Sequence, residues 1–241
     1  MLARLCLPLV LASHLLLLLR LDASQSEINP FTNPDPFAPG KQLTPEEQKE
    51  LDTGLTLVRK HNEDGAIQWL KARAKDHPDH WRVWTLLSLV CLKQNRYQES
   101  VDAANAALRK NQGDMNRVVT IGLLSYKGAA TAKLSRFQES LDCYLEITRI
   151  EPNNPFGYYW AGKLLLTFPT AGDRARALPM VKRANDLSNR RNSAVLDLLA
   201  EAYATTGDRR SAINSEKEAI RWAPTKYKGY FESRLQIYTV D

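Results

Sequence analysis

From residue 44 onward, apolar side chains recur at spacings of three and four, and short polar stretches interrupt the pattern at intervals of one helix length. This period predicts a succession of amphipathic α-helices, and no run alternates apolar and polar positions long enough to predict a β-strand. Order is predicted to begin at Thr44-Pro45-Glu46-Glu47. Thr44 can cap a helix, Pro45 suits the first helical position, where its missing N–H costs nothing, and Glu47 can close a capping box. Breaks then fall at Asn62-Glu63-Asp64-Gly65, Lys93-Gln94-Asn95, Leu134-Ser135 and Thr206-Gly207-Asp208, residues that stop helices and turn the chain.

The helical pattern repeats itself. Arg96-Tyr97-Gln98-Glu99-Ser100 returns as Arg136-Phe137-Gln138-Glu139-Ser140, and a small residue stands at the equivalent place in each copy: Ala66, Ser100, Ser140, Ala177 and Ala212. Their separations of 34, 40, 37 and 35 residues are near constant. Twelve residues earlier, or sixteen in the case of Ala177, lie Gly54, Ser88, Gly128, Ala161 and Ala200, again all small. Small side chains on both partners let two backbones approach closely, so each pair of positions predicts the crossing of an antiparallel helical hairpin.

These residues resemble the tetratricopeptide repeat family, whose 34-residue unit has a large and then a small residue on its first helix, a small residue opening the second, and a closing proline. The last unit matches best, with Leu196, Leu199, Ala200, Tyr203, Gly207, Ala212, Ala219 and Pro224 at the family's spacing; Trp84, Leu87, Ala107, Gly128, Tyr144 and Pro152 mark the second and third. Gly54, Ala66 and Pro78 mark the first. The resemblance implies an all-α, right-handed α-α superhelix of about five helix pairs, at about 47–80, 81–114, 121–153, 154–192 and 193–226, closed by a capping helix at 227–241. Departures are Arg73 at a small-residue position, Gln112 and Asn189 at closing prolines, and an expanded turn over Phe168-Pro169-Thr170-Ala171-Gly172-Asp173. Apolar residues around Met115 to Thr120 are expected to lengthen the following helix, with Asp114 as its cap.

Ahead of the repeats, Arg4 and the apolar run Leu5 to Leu19 read as a secretory signal over residues 1–26, with an uncleaved anchor as the alternative. Either form would deliver the remainder across a membrane. Residues 27–43, with Pro30, Pro34, Pro36, Pro39 and Gly40, predict an extended linker in which no helix can propagate. Export would normally permit disulfides, yet Cys6 lies inside the signal, and Cys91 and Cys143 fall on apolar helix faces. Two buried thiols are expected there rather than a bridge.

The formal charge of +6 falls only to +5 when Arg4, Arg20 and Asp22 are removed with residues 1–26. Basic and acidic residues alternate along the helices, as in Arg136, Glu139, Asp142, Glu146 and Arg149, which is the pattern of solvated faces and not of a phosphate-tracking stripe. Nucleic acid is therefore not an expected partner. No phosphate loop, nucleophile elbow, zincin helix or paired-cysteine motif is present in the sequence. His77-Pro78-Asp79-His80 offers two imidazoles and a carboxylate but no fourth ligand, and His61 stands at a turn, so the expectation is no metal, no cofactor and no enzyme. Glu201, Glu216 and Glu218 read as helix surface.

In the family the first helices line a concave groove that accepts a peptide or a helix. The resemblance thus implies groove candidates Leu51, Leu55, Val58, Thr85, Leu89, Ser125, Ala129, Tyr158, Gly162, Asp197 and Glu201. Members that clamp a C-terminal carboxylate use lysine, asparagine and arginine, which the matching Leu51, Leu55 and Ser125 do not supply. The run Tyr158-Tyr159-Trp160 is a second candidate surface, because three consecutive rings on a helix cannot all face one core. The expected function is an exported scaffold or adaptor with a protein or peptide partner; the alternative is a membrane-tethered accessory subunit of an enzyme complex.

Overall fold

A computed structural model describes residues 44–239 apart from 61, 111–116, 169 and 171. The expected signal, the proline-rich linker, His61, Asp114 and Met115 lie outside the described residues. The described chain forms eleven α-helices, here α1 (Pro45–Arg59), α2 (Glu63–Asp76), α3 (Trp81–Lys93), α4 (Tyr97–Lys110), α5 (Arg117–Lys133), α6 (Phe137–Ile150), α7 (Pro155–Thr167), α8 (Ala177–Leu187), α9 (Ser193–Thr205), α10 (Arg209–Trp222) and α11 (Lys228–Thr239). Short 3₁₀ turns at Arg174–Arg176 and Thr225–Tyr227 precede α8 and α11. No strand occurs among the described residues.

Consecutive helices pack in pairs, α1 with α2 through α9 with α10, and the second helix of each pair packs on the first helix of the next. First helices also touch along the array, α1 with α3, α3 with α5, α7 with α9 and α9 with α11. Contacts of this kind reach only neighbours, which is the property of a stacked repeat.

The small residues sit where helices cross. Ala66, Ser88, Ser100, Ala161, Ala177, Ala200 and Ala212 have no exposed surface, nor has Ser140. Ser88 Oγ donates to the Ser100 carbonyl and Ser100 Oγ donates to the Ser88 carbonyl, each at 2.9 Å, so the two backbones are within reach of one hydroxyl. One pair further along, Ser140 Oγ donates to the Gly128 carbonyl at 2.7 Å. A methyl group on Gly128 would lie 2.9 Å from the Tyr144 ring, closer than van der Waals contact allows, so glycine is what lets α5 and α6 approach.

The turns within three pairs share one geometry. Asn95, Ser135 and Gly207 each adopt a left-handed conformation, with φ of 58°, 61° and 81°. The N–H of the following residue bonds back five positions, Arg96 to Cys91, Arg136 to Thr131 and Asp208 to Tyr203. This is the 6→1 closure that satisfies the last carbonyls of a helix while reversing the chain. Duplicated sequence also makes duplicated contacts: Gln98 donates to Asp102 and Gln138 to Asp142, while Arg136 reaches across to Gln98.

Between the helices lie successive apolar clusters rather than one centre. Ile67, Leu70, Val83 and Leu86 fill the N-terminal part, Leu141, Ile147, Leu165, Val181 and Val195 the middle, and Leu196, Ala219 and Phe231 the C-terminal end. Each fully buried Leu or Ile contributes about 1.5–3 kcal/mol. Residues 117–120 belong to α5 and lengthen it, and Phe168, at the expanded turn, stacks on Phe137 with ring centroids 3.8 Å apart.

Cys91 and Cys143 are free and buried. Burial first, and then the acids Glu99 for Cys91 and Glu139 for Cys143, pushes each thiol up to about 11, so the reactive thiolate is scarce. Native protein at about pH 8 is expected to resist iodoacetamide at both cysteines, and to react at both once denatured. Mass spectrometry before and after denaturation reads this directly, and stoichiometric labelling of the native chain would show that the core is open.

Candidate protein-binding groove

The eleven groove candidates all fall on first helices, and the structure divides them by exposure. Leu51, Thr85, Ser125 and Gly162 are buried. Thr85 Oγ1 donates to the Trp81 carbonyl at 2.9 Å and Ser125 Oγ to the Gly122 carbonyl at 2.7 Å, so both hydroxyls are satisfied by their own helices. Gly162 faces α8, where an added methyl would meet Val181 at 2.5 Å. These four residues set the shape of the surface from beneath and offer no side chain to a partner.

The remaining seven are half-buried: Leu55, Val58, Leu89, Ala129, Tyr158, Asp197 and Glu201. Leu55 and Val58 pack against the N-terminal apolar cluster and Tyr158 against the central one, each keeping part of its surface in solvent. The rings of the aromatic run separate as helical geometry requires: Tyr159 is buried, while Tyr158 and Trp160 are half-buried. Trp160 is held in a ring cluster, at 6.0 Å from Tyr144, 6.2 Å from Phe156 and 5.3 Å from Tyr159, with the Lys163 ammonium 5.0 Å from its face.

At the C-terminal end, Asp197 and Glu201 are engaged by the chain itself. Arg234 on α11 donates from Nε to Asp197 Oδ1 and from Nη2 to Glu201 Oε2, both at 2.9 Å, and Tyr230 donates its hydroxyl to Asp197 at 3.3 Å. Although burial opposes its charge, Asp197 and then Glu201 hold Arg234 firmly protonated. Arg234 reads from the sequence as a solvent-facing residue of the cap; it is half-buried, because its planar fork spans two carboxylates one helical turn apart.

Glu216 overturns its surface reading more sharply. It has no exposed surface, and among the described residues neither carboxylate oxygen accepts a hydrogen bond; as the neutral acid it pairs with the Asp197 carboxylate. It lies on the α10 face that also carries the buried Ala212 and Ala219. Burial first, and the Asp197 carboxylate second, push its acid up to about 9 despite nearby Arg234. Glu201 and Glu218 are half-buried and ion-paired, with Arg234 and Arg221 respectively. The signal for Glu216 was in the repeat frame: it stands four residues after one crossing alanine and three before the next, a position that packing assigns to the interior.

His77 faces Glu50 at 3.5 Å, and Arg73 bonds to Asp76 and lies 3.6 Å from Glu50, so a charged network occupies the turn after α2. Among the described residues no group of three or more His, Cys, Asp or Glu side chains is arranged to hold a metal ion, and no helix is long and apolar enough to cross a membrane.

Neither a protein-family model nor a curated protein sequence matches the chain. Solved structures do. MamA from Desulfovibrio magneticus RS-1 superposes with a TM-score of 0.63 at 13% identity, covering 75% of this chain and 97% of that one. YrrB, a TPR protein with an unusual peptide-binding site, gives 0.61 at 15% identity over 78% of this chain and 95% of that one. A thermophilic TPR protein of Thermus thermophilus gives 0.54 at 19% identity over 79% of this chain and 99% of that one. Identities this low speak for fold alone, and the small-residue crossings, left-handed turns and neighbour-only packing agree with them: the fold is an α-solenoid of helix pairs like that of the tetratricopeptide-repeat structures.

Proposed function

We propose that this chain is a protein-binding scaffold that takes a peptide or helical segment along its first helices, and that it works outside the cytoplasm. The observation that carries the binding role is the row of half-buried apolar side chains on consecutive first helices, Leu55 and Val58 on α1, Leu89 on α3, Ala129 on α5 and Tyr158 on α7. Each is half-buried, and Leu55, Val58 and Tyr158 pack against the core while keeping accessible surface, which suits a contact that must be both shaped and wetted. The peptide-binding description of YrrB supports the same reading. We assign no catalytic role. The export half of the proposal rests on Arg4 and Leu5 to Leu19 in the sequence.

Tyr158→Ala tests the groove. An aromatic anchor typically supplies about 2 kcal/mol or more, so partner recovery in affinity capture is expected to fall by about tenfold or more while the melting temperature moves by only a few degrees. Equal recovery with an unchanged melting temperature removes Tyr158 from the binding surface. Sequencing the mature N-terminus decides the export form, since a chain starting near Glu27 is released and one retaining Leu5 to Leu19 is tethered.

A further inference from the structure

Repeat packing calls for an apolar residue at position 216, between Ala212 and Ala219 on the inner face of α10, and the chain has a glutamate there. A buried carboxylate without a donor is among the most costly arrangements a protein interior can hold, whereas the protonated acid is an uncharged group of similar shape. Two elements face it: from α9 come the acids Asp197 and Glu201, and from α11 come Arg234, Tyr230 and Tyr238, while the flanking Ala219 and Ala212 pack with Phe231 and Tyr238 of that helix.

Arg234 is the cation of this cluster, and three of its N–H groups are engaged away from Glu216: Nε by Asp197, Nη2 by Glu201 and by the Tyr238 hydroxyl at 3.0 Å. Arg209 on α10 is turned to the end of α11, donating to the Tyr238 carbonyl at 2.7 Å. The bonds that close α11 over the last hairpin thus run to other acceptors, and among the described residues no donor reaches Glu216 beneath them.

We propose that Glu216 is a proton-dependent latch for the C-terminal helix: α11 closes over the last hairpin while Glu216 is neutral, and ionisation of Glu216 loosens α11 and uncovers Asp197 and Glu201. The sign follows from proton counting. The closed state keeps a proton that the opened, hydrated carboxyl gives up, so closing is favoured in acid. It weakens as pH rises from the ordinary carboxylate range toward about 9. The groove acids at this end would then be masked by Arg234 at low pH and increasingly available at high pH, which makes the device a regulator of the C-terminal part of the surface and goes beyond the binding role itself.

Hydrogen exchange of the full chain tests it, read on α11 peptides and corrected for the intrinsic pH dependence of exchange. In wild type, α11 opening is expected to rise by up to about tenfold per pH unit between about pH 5.5 and about pH 8.5, one proton per opening. Glu216→Gln keeps the neutral shape and is expected to abolish that slope; Glu216→Leu should abolish it as well, and carries the test should the amide variant not fold. Peptides of α6 serve as the pH-independent reference. A flat wild-type α11, or a slope retained in a folded variant, overturns the proposal.

Discussion

Replacing Ser140 with leucine is expected to destabilise the protein by about 3–4 kcal/mol in chemical denaturation, whereas Ser140→Ala should lose only about 1 kcal/mol. The difference isolates size from hydrogen bonding. Ser140 has no exposed surface, and its hydroxyl donates to the Gly128 carbonyl at 2.7 Å across the α5–α6 crossing. Alanine keeps the close approach and gives up that bond, and the carbonyl still accepts from Thr131 Oγ1 at 3.1 Å. Leucine must push α6 away from a helix whose Gly128 leaves no slack against Tyr144. Because each hairpin supports the next, the strain should also reach the α6–α7 contact, where a methyl added to Gly157 would lie only 2.9 Å from the Tyr144 carbonyl. Equal effects from alanine and leucine would mean that the crossing is not tight.

Phe231→Ala is expected to cost about 3–5 kcal/mol, but locally. Phe231 is 1% exposed and fills the space between Leu196 on α9 and Ala219 and Ala223 at the end of α10, with Tyr230 edge-on at 5.0 Å. In a stacked repeat a terminal loss is not shared by the whole array. Hydrogen exchange should show α11 unprotected and α3 to α6 nearly unchanged, and light scattering should show concentration-dependent association as the last apolar face is uncovered. Uniform loss of protection along the chain would instead indicate one cooperative core.

Much of this architecture was legible in the sequence because its cause is steric and local. A pair such as Gly128 and Ser140 can be recognised from spacing alone, since only small residues allow that approach, and Asn95 and Ser135 occupy the left-handed site that Gly207 fills with less strain. The run Tyr158-Tyr159-Trp160 told only that three rings cannot share one buried face; Tyr159 is the one that is buried. Glu216 and Arg234 were hidden for the opposite reason. A charged residue within a run of charged residues reads as solvent-facing: for Glu216 that outweighed its spacing from Ala212 and Ala219, and for Arg234 only contact between α9 and α11 turns it inward. Thr85 and Ser125 were hidden too, because hydroxyls that bond to their own helix can be buried without a partner across the groove.

The account depends on successive hairpins whose two helices touch at small residues. Nuclear Overhauser spectroscopy of the labelled chain measures this in solution. Cross-peaks from the Gly128 α-protons to the side-chain protons of both Ser140 and Tyr144 are predicted, together with reciprocal ones between Ser88 and Ser100. Assigned spectra in which these protons show no cross-peaks, while the helices themselves persist, would contradict it.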